Sequence, residues 1–130
     1  MLKFAYTIFY VQDVVKTIEF YEKAFGFKRV FVADTAEFGQ LDTGGTSLSF
    51  SSIELMKEEI TGGFIASDAK QQPLGVEVAF ATENVAQAYN AAIDAGATEV
   101  SRPEVKPWGQ TVGYIRDING FLVEICTPLG

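Results

Sequence analysis

The residues at positions 4–11 are largely apolar and fit a β-strand, in which successive side chains point to opposite faces. One face of this strand would carry Phe4, Tyr6, Ile8 and Tyr10, and the other Ala5, Thr7, Phe9 and Val11. Asp13 then supplies an N-cap, apolar residues recur at helical spacing over residues 14–25, and Gly26 suits the position after a helix. The pattern therefore predicts a strand followed by a helix.

Three further strands are predicted in the first half, at residues 30–32, 38–42 and 47–51. Residues 52–74 break the alternation, because charged, glycine-containing and polar stretches follow one another there. We interpret this region as a linker between two halves. Long connections often form binding loops, and a plain tether is the alternative that the residues leave open.

The second half repeats the order of the first. A strand is predicted at residues 75–82, a helix at about 84–95, and strands at 98–101, 111–116 and 121–127, with a hairpin turn at Asn119-Gly120. Tyr6 corresponds to Glu77 and Val14 to Val85, and both pairs are 71 residues apart (77 − 6 and 85 − 14). Gly26 corresponds to Gly96, 70 residues further along the chain.

This repetition predicts an α+β fold of two βαβββ modules with helices outside a curved sheet. Module 1 would span about residues 1–53, the linker about 54–73 and module 2 about 74–130, all within a single domain. Pseudo-symmetric modules place equivalent strand positions opposite each other around a shared cavity. Side chains that line this cavity are therefore the candidates for function.

Charge and histidine content exclude several classes of function. The net charge of −7 argues against nucleic-acid binding, which needs a basic face. The chain has no histidine, which excludes imidazole metal sites and Ser-His or Cys-His nucleophile pairs. No apolar run reaches the roughly 18 residues that span a membrane. A single cysteine, Cys126, and the lack of a signal-peptide pattern favour a reducing cytoplasm.

Three segments resemble the vicinal oxygen chelate superfamily, which includes glyoxalase I, extradiol dioxygenases and bleomycin-resistance proteins. They are residues 6–14, residues 20–27 and residues 116–125. The last of them is similar to the family pattern D-P-[DN]-G-x-x-[IV]-E, with Ile118 where proline is usual. The resemblance covers almost the whole chain and implies the glyoxalase/bleomycin-resistance fold, a curved, incomplete barrel. It leaves the activity open, because this fold hosts many chemistries.

The resemblance also implies where a family metal would bind. Family enzymes take one ligand from the first strand and one from the last strand of each module. The matching positions here are Tyr6, Ser49, Glu77 and Glu124. Serine is a weak ligand and tyrosine binds metal only as a phenolate, so we expect no family metal site; a divalent metal on Glu77 and Glu124 with water ligands is the alternative.

Both acids lie inside apolar strands, where a carboxylate is costly unless it is paired or faces a cavity. Glu124 would either face the cavity or bond a neighbouring tyrosine or threonine. Glu77 shares its face with Ala79 and Ala81, and would either point into the cavity or lie on an exposed edge strand. If both point into one cavity, they form a pair able to hold one proton or bind a cation. Glu124 and Glu77 are therefore the candidate catalytic residues.

The predicted ligand-binding residues combine these acids with aromatic and hydrogen-bonding side chains. They are Tyr6, Tyr10, Ser49, Glu77, Trp108, Gln110 and Glu124. Trp108 lies in a loop before the last hairpin, so we expect it at the cavity mouth, with Gln110 beside it. Ordinary core packing is the alternative for the tyrosines.

We expect a small-molecule-binding protein similar to the bleomycin-resistance proteins, without a cofactor. We also expect a homodimer, because small modules need partners on their sheet edges. One alternative is a metal-dependent lyase, isomerase or dioxygenase of the glyoxalase type that uses Glu77 and Glu124. Another is a metal-free enzyme with one of these acids as general base. The residues leave open whether any reaction is catalysed.

Overall fold

A computed structural model describes residues 1–129. The chain forms two compact units. The first contains Met1–Glu22 and Gly26–Ala66, and the second contains Lys23–Phe25 and the chain from Ser67 onwards. The boundary after Ala66 lies inside the region interpreted as a linker.

Each unit carries one four-stranded sheet. The first half of the chain forms β1 (Tyr6–Val11), α1 (Val14–Phe25), β2 (Lys28–Val32), β3 (Phe38–Asp42), β4 (Ser47–Ser52) and α2 (Ile53–Glu59). The second half forms β5 (Glu77–Ala81), α3 (Val85–Asp94), β6 (Thr98–Val105), β7 (Thr111–Arg116) and β8 (Leu122–Cys126). The predicted α+β class and the two βαβββ modules are confirmed.

The two sheets have the same topology, so the repeat in the sequence corresponds to a repeat in the structure. The strand orders are β1-β4-β3-β2 and β5-β8-β7-β6, and the outer pairs β1–β4 and β5–β8 are parallel. β1 begins at Tyr6 and β5 at Glu77, while α1 begins at Val14 and α3 at Val85. These are the positions that the repeat matched.

The predicted boundaries of α1 are confirmed by its capping contacts. The Asp13 carboxylate accepts a hydrogen bond from the Lys16 amide at 3.0 Å, which satisfies an otherwise unpaired N–H of the first turn. At the other end Gly26 adopts a left-handed conformation with φ of 73°, and its amide donates to the Glu22 carbonyl.

Helix α2 lies almost entirely within the region interpreted as a linker, where the sequence analysis predicted no helix. The Ser52 hydroxyl caps this helix by accepting from the Leu55 amide at 3.1 Å. Ile53 is buried and anchors its first turn. One cap and one apolar anchor are enough to start a short helix in a stretch whose charged composition indicated solvent exposure.

In the first unit, α1 packs against the sheet at a glycine. A Cβ at Gly39 on β3 would lie 2.4 Å from Ile18 Cδ1, so helix and sheet approach closely there. The side of the sheet facing α1 forms the core of this unit. Its fully buried members include Leu41, Phe50, Val11 and, from α1, Ile18 and Tyr21.

The second unit is built in the same way, with Gly113 on β7 beneath α3. A Cβ at Gly113 would lie 3.2 Å from Tyr89 Cδ2 on α3. The Asn84 side chain caps α3 by accepting from the Gln87 amide at 3.2 Å. The core on this side contains Ile115, Val123 and Ile125, all without solvent exposure.

Strand β6 is longer than the predicted 98–101, because it continues to Val105. The added residues include Pro103, which donates no hydrogen bond to a sheet. β6 is the edge strand of its sheet, and an edge accepts proline. Its pairing with β7 shifts register between Ser101 and Glu104, next to that proline.

Residues 67–71 are held by the β7–β8 hairpin of the second unit. Arg116 donates to the carbonyls of Gln71 at 2.7 Å, Asp68 at 3.0 Å and Gly120 at 2.8 Å. The Ser67 hydroxyl donates to the Asn119 carbonyl at 2.8 Å. Hydrogen bonds from the side chains of Arg116 and Ser67 therefore fix this part of the predicted linker to the hairpin.

None of the helices in residues 1–129 is both long enough and apolar enough to cross a membrane.

Candidate functional site

Two acids and a tyrosine share the face of the second sheet that is turned away from α3. Glu124 on β8 pairs with Ala79 on β5 and with Tyr114 on β7, and paired residues point to the same side of a sheet. Glu77 lies two residues from Ala79 on the same side. We call this surface the acidic face. Its members are Glu77, Ala79, Ala81, Val112, Tyr114, Arg116, Leu122, Glu124 and Cys126.

Glu124 is held by a hydrogen bond from its cross-strand neighbour. The Tyr114 hydroxyl donates to Glu124 Oε1 at 3.0 Å, in a partly buried position. Burial, followed by the Glu124 carboxylate, raises the pKa of Tyr114 to about 12. The phenol therefore stays protonated near neutral pH and fixes one oxygen of Glu124, which leaves the other for a ligand.

Glu77 is exposed, lies on the edge strand β5 and is the diagonal neighbour of Glu124. Burial of the carboxyl group, followed by a hydrogen bond with Glu124, raises the pKa of Glu77. Both causes favour the neutral form of Glu77 over its charged form. Ala79 and Ala81 have small side chains, so the space beside the acids is not filled from β5.

Cys126 lies at the end of the same face and is almost completely buried. Burial, followed by Glu124, raises the pKa of its thiol. The thiolate is the reactive form, so this cysteine is not activated as a nucleophile near neutral pH.

Trp108 and Gln110 are joined by hydrogen bonds in the loop between β6 and β7. The Trp108 indole N–H donates to Gln110 Oε1 at 2.9 Å, and Gln110 Nε2 donates to the Thr127 carbonyl at 2.7 Å. The polar groups of the pair are thus largely engaged with each other and with the chain, while the Trp108 side chain remains exposed. What Trp108 offers to a ligand is the surface of its ring.

The equivalent face of the first sheet carries hydroxyl groups instead of acids. Ser49 pairs with Ile8 in the register in which Glu124 pairs with Ala79, so Ser49 occupies the position of Glu124 in the repeat. Ser49 is fully buried, and its hydroxyl has no hydrogen-bond partner among residues 1–129. The neighbouring Gln40 side chain donates to Ser47 Oγ at 2.8 Å instead.

Tyr6 and Tyr10 lie on that same face of the first sheet. Tyr6 is half exposed. The Tyr10 ring meets the Phe64 ring edge to face, with centroids 4.9 Å apart. The structure thus brings Glu77 and Glu124 together in the second unit. It places Tyr6, Tyr10 and Ser49 on one face of the first sheet. The ligand-binding role of all these residues stays a prediction.

The sequence analysis gave a bond from Glu124 to a neighbouring tyrosine or threonine as one of two alternatives, and this bond is present, but the analysis did not identify its partner as Tyr114. The turn signal would have misled, because a two-residue turn at Asn119-Gly120 pairs residue 114 with residue 125. The observed turn leaves three residues between Asp117 and Phe121, which places Tyr114 opposite Glu124. Arg116 was missed as well, since nothing in its own segment indicates that residues 68–71 fold back onto it.

The family model that matches this chain is that of the Glyoxalase/Bleomycin resistance protein/Dioxygenase superfamily, over residues 3–125. The chain belongs to this superfamily. The resemblance noted from the three sequence segments is therefore confirmed. Membership supports the fold and leaves the chemistry open, because one scaffold hosts several activities.

Similar proteins support the same conclusion about the fold. A glyoxalase-related enzyme from Fulvimarina pelagi has a TM-score of 0.83 at 22% identity, with 100% of this chain and 94% of that one covered. A glyoxalase/bleomycin resistance protein/dioxygenase family enzyme from Burkholderia phytofirmans PsJN has a TM-score of 0.76 at 22% identity, covering 98% and 100%. The uncharacterized protein YraH of Bacillus subtilis is 28% identical over 116 residues, 88% of this chain and 90% of YraH.

The residues at the implied metal positions do not fit a transition-metal centre. The second unit supplies two carboxyl groups, of which Glu124 already accepts from Tyr114 and Glu77 has a raised pKa. In the first unit the implied positions hold Ser49, which is a weak neutral ligand, and Tyr6, which could bind a metal only as a phenolate. Nowhere in residues 1–129 do three or more His, Cys, Asp or Glu side chains group closely enough to hold one metal ion.

Proposed function

We propose that this superfamily member binds a small cationic molecule on the acidic face of its second unit, without a metal cofactor. The observation that supports the proposal is the pair of carboxyl groups Glu77 and Glu124, which lie close enough to raise the pKa of one of them. Two carboxyl groups held this close repel each other when both are charged, and a bound cation relieves that repulsion.

The surroundings of the pair favour an ammonium group attached to a flat apolar body. The cation would bind beside both carboxyl groups, and the oxygen of Glu124 that does not accept from Tyr114 would accept its hydrogen bond. The Tyr114 ring and the small side chains of Ala79 and Ala81 offer an apolar surface for the body of the ligand. The net charge of −7 adds a general attraction for cations.

A second candidate function uses the same two acids in catalysis. A carboxyl group with a raised pKa is a stronger base than an ordinary carboxylate, so Glu77 is the candidate general base of a metal-free reaction. Its substrate would carry an acidic C–H bond beside a carbonyl group, since the C–H proton must be transferable to a carboxylate. Turnover of such a compound, abolished by Glu77→Gln, would support this function over simple binding.

The test uses three ligands that share one apolar body and differ in charge. They are 1-naphthylmethylamine, which is cationic near neutral pH, 1-naphthylmethanol, which is neutral, and 1-naphthoate, which is anionic. The proposal predicts that only the amine raises the melting temperature, and that added salt reduces the effect because it screens the charges. An effect of the anion alone, or of all three alike, would contradict it.

A further inference from the structure

A cavity lies in the second unit, on the side of the sheet opposite the acidic face. It is an open cleft of about 390 Å³ between helix α3 and the edge strand β6. This volume is within the range of small-molecule sites. Its apolar wall is formed by Ala86 and Ile93 from α3 and by Pro103 from β6. The acids of the proposed function take no part in it.

A buried phenol lines this cleft. Tyr89 is 3% exposed, and its hydroxyl makes no hydrogen bond within residues 1–129. Burial, followed by the Glu99 carboxylate, raises the pKa of Tyr89 to about 12, so the phenol remains a donor. The carboxylate is therefore near the hydroxyl without being aligned to accept from it. A buried polar group without a partner is costly and rare, which points to a ligand that completes it.

A pair of opposite charges borders the same cleft. Arg102 Nε donates to Glu99 Oε2 at 3.3 Å and to Oε1 at 3.4 Å, and both residues line the cavity. The Arg102 side chain is 83% exposed and its bond to Glu99 is made through Nε, so its terminal amino groups are accessible to a ligand carboxylate. A third polar residue, Asn90, adds an amide on the α3 side.

We propose that this cleft binds a small zwitterion, an α-amino acid with an aliphatic side chain. The ligand carboxylate would bind the terminal amino groups of Arg102 and accept from the Tyr89 hydroxyl, while its ammonium group binds Glu99. The aliphatic side chain would pack on Ala86, Ile93 and Pro103. A singly charged ligand would satisfy one member of the Glu99–Arg102 pair and leave the other without a partner, whereas a zwitterion satisfies both.

The binding test uses L-leucine and two analogues that each lack one charge. These are 4-methylpentanoate, without the ammonium group, and 3-methylbutylamine, without the carboxylate. We expect calorimetry to show binding of L-leucine at least about tenfold tighter than of either analogue. Amide chemical-shift changes in NMR spectra should concentrate at residues 86–93 and 99–103. Equal binding of an analogue, or changes that concentrate on β5 and β8, would overturn the proposal.

Variants test the assignment of each group. Tyr89→Phe removes only the hydroxyl, so its melting temperature should stay equal to wild type or rise, while L-leucine binding weakens about three- to tenfold. Arg102→Gln should weaken binding at least about tenfold. The matched control is Glu104→Gln, on the same strand but paired with Val112 on the other face of the sheet. Its affinity should equal that of wild type.

Two results would overturn the assignment: Arg102→Gln and Glu104→Gln binding L-leucine alike, or a folded Tyr89→Phe with wild-type affinity. Glu124→Gln separates this proposal from the function proposed for the acidic face. It should change binding of 1-naphthylmethylamine and leave binding of L-leucine unchanged.

Discussion

Replacing Glu77 by glutamine should stabilise the protein near neutral pH. In the folded state the pKa of Glu77 is raised from its ordinary value of 4.5, first by burial and then by Glu124. The folded protein therefore holds this proton more tightly than the unfolded chain does. This tighter proton binding by Glu77 stabilises the folded protein at acid pH, and the stabilisation is lost as the pH rises through the folded pKa of Glu77. Glutamine mimics the protonated carboxyl group and does not lose a proton.

The size of the effect follows from the position of the two acids. Two carboxylates close enough to hydrogen-bond lie within about 4 Å of each other, where two unit charges repel by about 1 kcal/mol in water and more at a lower dielectric constant. Glu77 is exposed, so screening keeps the repulsion near this lower figure. We expect Glu77→Gln to raise the free energy of unfolding by about 0.5–1 kcal/mol above pH 7, equivalent to a few degrees in melting temperature.

Urea unfolding of wild type and variant near pH 4 and near pH 8 measures this difference. The gain should be present near pH 8 and should shrink toward zero near pH 4. Glu104→Gln removes the same charge as a control, but Lys106 lowers the pKa of Glu104, so this variant should show no gain near pH 8. A gain for Glu77→Gln that is equal at both pH values, or that Glu104→Gln shares, would refute the reasoning.

Three further predictions concern metal content, assembly and the β7–β8 hairpin. Protein purified without chelator should contain less than about a tenth of an equivalent of Zn, Fe, Ni or Mn by elemental analysis, and a stoichiometric metal lost in Glu77→Gln would favour the metal-dependent alternative. Sedimentation at micromolar concentration should give a homodimer; a species near the 14.2 kDa chain mass would contradict this. Arg116→Lys should lower the free energy of unfolding by about 1–3 kcal/mol because lysine cannot reach three carbonyls, and unchanged urea unfolding would show that these bonds contribute little.

The repeated architecture was predictable because it is recorded twice in the spacing of apolar residues. Strand and helix starts at Tyr6 and Val14 recur at Glu77 and Val85, and both pairs begin the same elements in the structure. Capping residues such as Asp13 and Gly26 act through their immediate neighbours, so their role could be predicted from local sequence.

The errors arose where a local signal competed with position in the sheet. The predicted strand ended before Pro103, yet β6 continues through it because an edge strand needs no hydrogen bond on its outer side. The charged composition of residues 54–59 concealed a helix that depends on the Ser52 cap.

The acids of the candidate site could be predicted, and their partners could not. Repetition and alternation placed Glu77 and Glu124 on one face, because both depend only on spacing along the chain. The Tyr114 bond to Glu124 depends on the register between two strands, and the unpartnered hydroxyls of Ser49 and Tyr89 depend on packing around them. Neither property is encoded in the spacing of residues along one segment.

The central claim, that the carboxylates of the second unit meet a positive charge, is tested most directly by calorimetric binding of 1-naphthylmethylamine to wild type and to Glu124→Gln. If Glu124 contacts the ammonium group, the variant should bind it more weakly by about 1–3 kcal/mol. Binding of 1-naphthoate to the variant should then remain undetectable or weak. Unchanged affinity for the amine, or binding of 1-naphthoate that tightens when Glu124 is neutralised and exceeds that of the amine, would contradict the account.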